Sequence, residues 1–432
     1  MKVKRLKMTS FRGISDLTLE FDTDEPTVLI GINGVGKSSV LDCLAILLSN
    51  FLELLVFLTP SSRLLKTKED AKKGRKYLIK NTNKHDITNE YQETRNEITI
   101  SLQQSREVKW YFSKVQEGQI KFDREELEVV AQDIRSQLKD NPKANLPLAV
   151  YYPVNRAVLD VSLEANQNYS FKSRDAYIEA LTGEQMGFGS FFQWFRALED
   201  LENEERRDNR DYRNRFLEAV RRGIYSLMPD FSNLRVRRSP LRMTVTKQGQ
   251  ELIVNQLSDG EKCLLAMVGD LARRLAIANP GLPNPLQGEG VVLIDEIELH
   301  LHPKWQREII PALTRTFPNC QFIVTTHSPQ VISEVKPNGI YILEATSEGV
   351  VAKRPESSYG RDSNRILEDL MGVPARPQEF KDDLLELFRL IDKGDLDGAR
   401  QLRQQIADEI GADEPELVKA SVSIRRKEIL SR

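Results

Sequence analysis

A glycine-rich segment near the start of the chain has the residue types and spacing needed to bind phosphate. Residues 31–38 are GINGVGKS, which matches an eight-position pattern whose backbone N–H groups can surround a phosphate. Lys37 is predicted to reach the outer phosphates of a nucleotide, and Ser38 to bind Mg²⁺. The predicted nucleotide-binding residues are Asn33, Gly34, Val35, Gly36, Lys37, Ser38 and Ser39.

The neighbours of this segment favour the same interpretation. Residues 27–30 have the apolar character of a short buried strand, and residues 37–48 that of an apolar helix. A turn between strand and helix is the context that phosphate binding requires, because the helix N-terminus adds positive potential. This context disfavours the alternative of a glycine-rich turn with a chance lysine.

An acidic pair follows a second apolar run. Residues 291–294 are VVLI, a run suited to a central parallel strand that is buried on both faces. Asp295 and Glu296 come directly after it, at the end where ligands bind in such sheets. Asp295 is the predicted Mg²⁺ ligand, and Glu296 the predicted base for an attacking water. A strand that merely ends in solvated acids is the alternative.

A histidine follows the next apolar run. Residues 321–326 are predicted to form a strand, and His327, one of only four histidines, comes directly after it. Neutral imidazole can donate or accept a hydrogen bond near pH 7, so His327 is predicted to sense the γ-phosphate and to act in catalysis with Glu296. A histidine with a purely structural role is the alternative.

A third motif, LSDGE at residues 257–261, precedes a strongly amphipathic helix. Ser258 and Gly260 therefore lie at a helix N-terminus suited to an anion. Taken alone, the segment favours an ordinary N-cap in which Glu261 completes a capping box.

Together these motifs resemble those of ABC-type ATPases, in the branch with the SMC, Rad50, RecF and OLD-like proteins. The resemblance implies an α/β fold: an ABC-type P-loop ATPase head with an antiparallel β lobe, a compact helical insertion and a helical C-terminal tail. It implies ATP and Mg²⁺ as cofactors. It also implies that two chains sandwich two ATP molecules, with Ser258, Gly260 and Glu261 of one chain facing the nucleotide on Lys37 of the other.

Two further segments carry the resemblance. Strands at residues 3–8 and 17–21, joined by a Phe-Arg-Gly turn, look like the opening hairpin of RecF- and OLD-like heads. The text DEIELHLHP at residues 295–303 looks like the OLD-like form of the acidic motif. His300 and His302 could share a metal, but with no cysteine or acidic cluster to complete a site, loop packing is the favoured interpretation.

The glutamine that this family carries after one strand is missing. The predicted strand at residues 148–152 is followed by Pro-Val-Asn-Arg. Asn155 keeps the amide group and is the candidate equivalent of the glutamine, while Arg156 is the alternative as a phosphate contact.

The motifs divide the chain into four predicted segments. These are the N-terminal part of the head (1–161), a helical insertion (162–230), the C-terminal part of the head (231–355) and a helical tail for partner or self-association (356–432). Strands at 97–102 and 108–112 are expected to extend the antiparallel lobe. The lysine-rich run at 63–85 is expected to be a solvated face, with nucleic-acid contact as the alternative.

The insertion and the tail indicate which group of proteins within this branch the chain resembles. The insertion lacks both long heptads and a Cys-x-x-Cys hook, which disfavours a long DNA tether. The tail, VPARPQEF at residues 373–380 followed by amphipathic helices, resembles the ATPase subunits of Septu-type and retron-associated antiphage systems, the PtuA family. The acidic segment at 392–397 is predicted to be a turn with an acidic N-cap, so no intrinsic nuclease is expected.

This resemblance implies a regulatory ATPase of a bacterial antiphage complex that controls a separate HNH nuclease. A homodimer or higher oligomer is expected, with a reverse transcriptase and a noncoding RNA as further candidate partners. Two alternatives stay open: a RecF-like DNA-repair ATPase, and a PARIS-like scaffold for a Toprim nuclease.

Composition is that of an ordinary globular protein. The 432 residues are 40% hydrophobic and carry a net charge of −2, which gives no overall attraction to nucleic acid. The three cysteines, Cys43, Cys263 and Cys320, have apolar neighbours, as reduced core cysteines do. We expect no apolar run of membrane-spanning length, no secretion signal and a cytoplasmic location.

Overall fold

The computed structural model describes residues 1–57, 86–88, 91–102, 106–116, 120–141, 143–156, 173–183 and 188–430. The chain divides into two compact units, Met1–Arg361 and Asp362–Arg432. The lysine-rich run at residues 63–85 lies outside the described residues, so its predicted solvated face is not addressed.

An antiparallel sheet opens the first unit. Its strands lie in the order β2-β1-β4-β5-β6. Buried and exposed residues largely alternate along them because one face of each strand covers the core. The opening hairpin is confirmed, with Arg12 and Gly13 at positive φ in its turn. The five strands are β1 Lys2–Phe11, β2 Ile14–Glu20, β4 Glu93–Leu102, β5 Arg106–Val115 and β6 Ile120–Asp123.

A second, six-stranded sheet forms the centre of the unit, in the order β14-β13-β3-β12-β11-β7. All its pairings are parallel except that of the edge strand β14. Every residue of β3, β7, β11 and β12 is buried, as expected for parallel strands covered on both faces. The strands are β3 Thr27–Ile30, β7 Leu148–Tyr152, β11 Gly290–Ile294, β12 Cys320–Thr325, β13 Ile340–Thr346 and β14 Gly349–Lys353.

Helix α1, Lys37–Phe57, contacts strands of both sheets, and α2, Glu125–Asp140, contacts α1. The indole Nε1 of Trp110 donates to the carbonyl of Leu47 at 3.0 Å, which ties the antiparallel sheet to this helix.

Helix α1 corrects one expectation. Over Lys37–Val56 it is long and apolar enough to cross a membrane, although no run of that kind was expected. In the fold, 78% of its most apolar stretch is buried within the protein. A core helix covered on several sides needs the same apolar composition as a membrane span, so sequence length and hydropathy alone do not separate the two.

The predicted insertion contains two long helices among its described residues. These are α3, Phe188–Asp208, and α4, Arg215–Leu227, with a short 3₁₀ helix at Ser173–Tyr177 before them. The side chain of Asn214 caps α4 by accepting from two backbone N–H groups. Both helices contact α5, Asp259–Ala278.

The described part of the first unit contains five further strands and helices. A small antiparallel sheet precedes α5, and two helices follow β11 and β12. These elements are β8 Phe231–Arg238, β9 Leu241–Lys247, β10 Gln250–Ile253, α6 Pro303–Thr316 and α7 Pro329–Ile332.

The second unit consists of helices around an apolar centre formed by Leu384, Leu387, Ile391, Ala399, Ile406, Ala407, Leu417, Ala420 and Ile424. Gly394 ends one helix in the left-handed conformation, and the Asp395 side chain caps the next by accepting from Gly398 N at 3.0 Å. The predicted turn with an acidic N-cap is therefore confirmed. The helices are α8 Ser363–Asp369, α9 Gln378–Lys393, α10 Leu396–Ile410 and α11 Pro415–Leu430.

Candidate nucleotide-binding site

The glycine-rich loop lies between β3 and α1, as predicted. Gly34 has φ +80° and Gly36 has φ +110°, conformations that side chains other than glycine rarely adopt. A Cβ on Gly36 would lie 3.0 Å from Ile14 Cδ1, whereas one on Gly34 would meet nothing within 4 Å. The loop is therefore closed against the opening hairpin and open above Gly34, where a ligand could approach the backbone.

Lys37 begins α1 and is only 6% exposed. Its Nζ donates to the carbonyls of Gly31 at 2.8 Å and Ile32 at 3.0 Å. Burial lowers the pKa of Lys37, and the nearby carboxylates of Asp295 and Glu296 partly offset this effect. The charge of the ammonium group therefore interacts with the charges of the predicted acidic pair. A phosphate bound between them would interact with both.

The acidic pair lies at the carboxyl end of β11, next to β12. Thr325 Oγ1 donates to Asp295 Oδ1 at 2.5 Å and accepts from the backbone N–H of Glu296 at 2.7 Å. Asp295 is 3% exposed. One threonine therefore orients both acids, a role that the sequence motif did not reveal because Thr325 belongs to the neighbouring strand.

A further glutamate fixes the segment that carries the predicted sensor histidine. Glu298 accepts from Thr326 Oγ1 at 2.7 Å and from the backbone N–H of His327 at 2.5 Å. No sequence motif assigned a role to Glu298, whose only signal was its place two residues after the acidic pair. The structure thus brings Lys37, Asp295, Glu296 and His327 to one edge of the central sheet, which we call the nucleotide edge.

The loop after β7 reaches the same edge. Asn155, the candidate for the missing glutamine, is exposed. Arg156 is 3% exposed and donates to the backbone carbonyls of Asp295 and Glu296. The guanidinium therefore contacts protein backbone, and the alternative that it serves as a phosphate contact loses support.

The predicted motif at residues 257–261, called here the signature loop, begins α5. Ser258 is its N-cap and forms a capping box with Glu261, so the capping interpretation holds within one chain. Ser258 Oγ donates to Glu261 Oε2 at 2.9 Å, and Lys247 Nζ lies 2.6 Å from Glu261 Oε1. Burial opposes ionisation of Glu261, but these contacts outweigh it and lower its pKa. Ser258 is exposed, whereas Gly260 and Glu261 are buried.

The signature loop packs against the segment that follows the acidic pair. A Cβ on Gly260 would overlap the carbonyl oxygen of His300, so only glycine allows this approach. His302 Nδ1 accepts from Lys304 N at 3.2 Å and caps α6. No group of three His, Cys, Asp or Glu side chains that could hold a metal ion occurs among the described residues.

A buried cluster connects α5 to β7. Tyr152 Oη donates to Asp270 Oδ2 at 3.0 Å, and Asp270 also pairs with Arg273 and Arg274, each at 2.6 Å. Arg274 additionally donates to two backbone carbonyls beside the 3₁₀ helix. The Tyr152–Asp270 hydrogen bond therefore joins a strand of the nucleotide edge to the helix of the signature loop, and the two arginines of that helix hold the Asp270 carboxylate.

The donors at the nucleotide edge fit a magnesium nucleotide. Mg²⁺ prefers oxygen ligands, and Ser38 and Asp295 supply a hydroxyl and a carboxylate. The open backbone above Gly34 and the α1 N-terminus fit phosphate. This set of parts, on a parallel sheet with an antiparallel lobe beside it, defines an ABC-type P-loop ATPase head.

Comparison with known proteins identifies the family. Residues 27–333 match the family described as "AAA domain, putative AbiEii toxin, Type IV TA system", and the chain belongs to this family. The Retron Ec83 probable ATPase of Escherichia coli is 30% identical, over 99% of this chain and 87% of that protein.

Other relatives match over different extents. The Retron Vc95 probable ATPase of Vibrio cholerae serotype O1 biovar El Tor is 29% identical over 90% of this chain and 82% of that protein. The Septu protein PtuA of Bacillus thuringiensis is 30% identical over 32% of this chain and 37% of that protein. Among solved structures, the SMC head domain from Thermotoga maritima matches 82% of this chain and all of that one, at 16% identity and a TM-score of 0.44.

Proposed function

We propose that the protein binds ATP with Mg²⁺ and hydrolyses it slowly as the regulatory subunit of an antiphage defence complex. The observation that carries the proposal is the convergence of Lys37, the Asp295–Glu296 pair and His327 at one sheet edge. Each of these groups suits one part of phosphate chemistry, and the sequence separates them widely.

Each residue has a separate role in the proposed reaction. Lys37 and the N–H groups of Asn33 to Ser39 bind the phosphates, and Ser38 and Asp295 hold the metal. When bound, Mg²⁺ neutralises charge that develops on the phosphate oxygens. Glu296 accepts a proton from the attacking water. His327 contacts the γ-phosphate, and Glu298 holds the backbone that presents it.

We further propose that two heads form the complete site. In one chain Ser258 is exposed at the start of α5, whose N-terminus can face an anion on a second chain. Gly260 and Glu261 are buried and support this loop from within their own chain, so Ser258 is the member of the predicted trio best placed to contact the partner's nucleotide.

The relatives support a role in antiphage defence. We propose that the effector is a separate HNH nuclease and that the protein is cytoplasmic. Two relatives are named retron ATPases and another Septu PtuA. Nucleotide state would alter the surface that holds the nuclease; a coupling of about 1–3 kcal/mol between the two sites is enough for useful control. A reverse transcriptase and a noncoding RNA are further proposed partners.

The test is purification of the tagged protein from its native operon, with copurifying protein and nucleic acid identified. We expect a small HNH protein to copurify with the wild type. With Lys37→Ala, the yield or the nuclease activity of that HNH protein should change. Lys139→Ala, an exposed lysine on α2, is the matched control. Recovery of duplex DNA alone would favour the RecF-like alternative, and recovery of a Toprim protein the PARIS-like one.

A further inference from the structure

Arg156 follows Asn155, the candidate for the missing glutamine, in the loop after β7, and its buried side chain contacts the backbone of the acidic pair. The guanidinium is 3% exposed. It donates to the carbonyl of Asp295, to that of Glu296 at 2.6 Å and to that of Pro153 at 3.2 Å. A planar group with five donors can bridge two successive carbonyls, which a lysine ammonium does less well.

The carbonyl of Glu296 needs such a contact because the residue is strained. Its φ is +45°, in the left-handed region that is unfavourable for a residue other than glycine. Strained backbone of this kind persists where the surroundings hold it. Here the N–H of Glu296 donates to Thr325 Oγ1 at 2.7 Å and its C=O accepts from Arg156, so both sides of the residue are held.

The backbone conformation of Glu296 determines where its carboxylate lies. Relaxation of φ to a negative value would rotate the Cα–Cβ bond and move the carboxylate away from its present direction. Backbone hydrogen bonds hold part of the carbonyl side: Leu299 N donates to the Glu296 carbonyl at 2.9 Å, and Ile297 N donates to the Thr325 carbonyl at 3.0 Å. Arg156, in the loop after β7, adds a charged donor that joins this carbonyl to that of Asp295.

We propose that Arg156 is a positioning residue for ATP hydrolysis: it holds the Glu296 backbone so that the carboxylate faces the attacking water. The inference rests on the proposed role of Glu296 as the base. It assigns no phosphate or metal contact to Arg156, so it predicts an effect on turnover without an effect on nucleotide binding.

The test compares Arg156→Met and Arg156→Lys with the wild type in the full-length protein, measuring kcat, KM for ATP and nucleotide affinity. We expect kcat to fall by roughly ten- to hundredfold in Arg156→Met, as for other small displacements of a catalytic group. The affinity for ATP should stay within about twofold, since ground-state binding is unchanged. Arg156→Lys keeps the positive charge but has a single ammonium group in place of the planar guanidinium, so it should recover part of kcat.

Arg135→Met is the matched control, because Arg135 also donates to a backbone carbonyl, that of Leu54 at 2.6 Å. It should leave kcat unchanged. If Arg156→Met does not fold, the test rests on Arg156→Lys. A kcat lower than that of the wild type, with unchanged affinity for ATP, then supports the proposal. Unchanged kcat in either folded variant, or a raised KM with unchanged kcat, would overturn it.

Wild type and Glu296→Gln are measured beside these variants to separate two failures. If the wild type hydrolyses no more ATP than Glu296→Gln, the proposed function of Glu296 fails. If only Glu296→Gln is inactive and the Arg156 variants keep full kcat, the proposed function stands and the positioning role is rejected.

Discussion

The nucleotide edge and the signature loop both form hydrogen bonds within one chain, but they differ in how far their polar side chains are exposed. At the nucleotide edge, Lys37, Asp295 and Glu296 all have partners in their own chain, and the strained residue is held on both sides. In the signature loop, Glu261 is satisfied internally while Ser258 stays exposed at a helix N-terminus. On the proposed function, the difference means that the buried edge is assembled within one chain, whereas the exposed Ser258 contacts the nucleotide of a second chain.

The largest expected effect concerns the nucleotide edge. Lys37→Ala removes the cation that faces the acidic pair, so ATP turnover should fall by about a hundredfold or more, as when other charge-stabilising donors are removed. ATP hydrolysis and nucleotide binding are the measurements, with Lys139→Ala beside them. Turnover close to that of the wild type would show that the assembled edge is not where phosphate binds.

The next effect concerns the cluster that joins the two regions. Asp270→Asn should destabilise the protein by about 3–5 kcal/mol at neutral pH, because it leaves Arg273 and Arg274 buried without their carboxylate. Burial would raise the pKa of Asp270, but Arg274 and Arg273 lower it to about 2. The stability from its charge is therefore complete above its ordinary pKa of 3.8 and is lost as the pH falls toward 2.

Chemical denaturation of wild type and Asp270→Asn between neutral pH and pH 2 tests this expectation. The difference between the two free energies of unfolding should shrink below about pH 4. A difference that stays constant over this range would mean that the charge of Asp270 does not stabilise the fold through Arg273 and Arg274.

A smaller effect is expected where the signature loop meets the segment after the acidic pair. Gly260→Ala places a Cβ on the His300 carbonyl, and one of the two backbones must move, at a cost of about 1–3 kcal/mol. Gly223→Ala is the control, because its Cβ would lie 3.4 Å from Ala272 Cβ, close to an ordinary contact. Equal free energies of unfolding for the two variants would contradict the close packing.

The smallest effect on stability is expected at Ser258, where a comparison of two variants distinguishes helix capping from contact with a ligand. Ser258→Ala should lose about 1 kcal/mol as an N-cap, and Asn214→Ala at the start of α4 about the same. Only Ser258→Ala should also weaken the association of chains that ATP promotes, as measured by the mass distribution with and without ATP. An equal effect of both variants on association would leave Ser258 with its capping role alone.

Much of the nucleotide edge could be predicted because each motif is local. Residues 291–294 and 321–325 are continuous apolar runs, which parallel strands buried on both faces require, and the acids and His327 follow them directly. The tail helices were predictable for a similar reason, since Gly394 and Asp395 mark a stop and a start by backbone chemistry.

The missed contacts join strands that lie far apart in the sequence. Arg156 meets the carbonyls of the acidic pair only because β7 pairs with β11, and Glu298 reaches His327 only because the chain turns sharply, with positive φ at Glu296 and His300. Neither pairing register nor positive φ at a non-glycine residue leaves a sequence pattern. The full apolar length of α1 was not predicted: the apolar helix was expected over residues 37–48, but it extends to Phe57. Its burial depends on contacts with strands of both sheets.

Mixing two inactive variants tests the central claim most directly. Lys37→Ala disables the nucleotide edge, and Ser258→Arg places a bulky cation where the partner's nucleotide would approach. If the site is shared between chains, a mixed dimer pairs one intact edge with one intact signature loop. The account predicts that the mixture hydrolyses ATP well above the mean of the two variants alone; activity equal to that mean would contradict it.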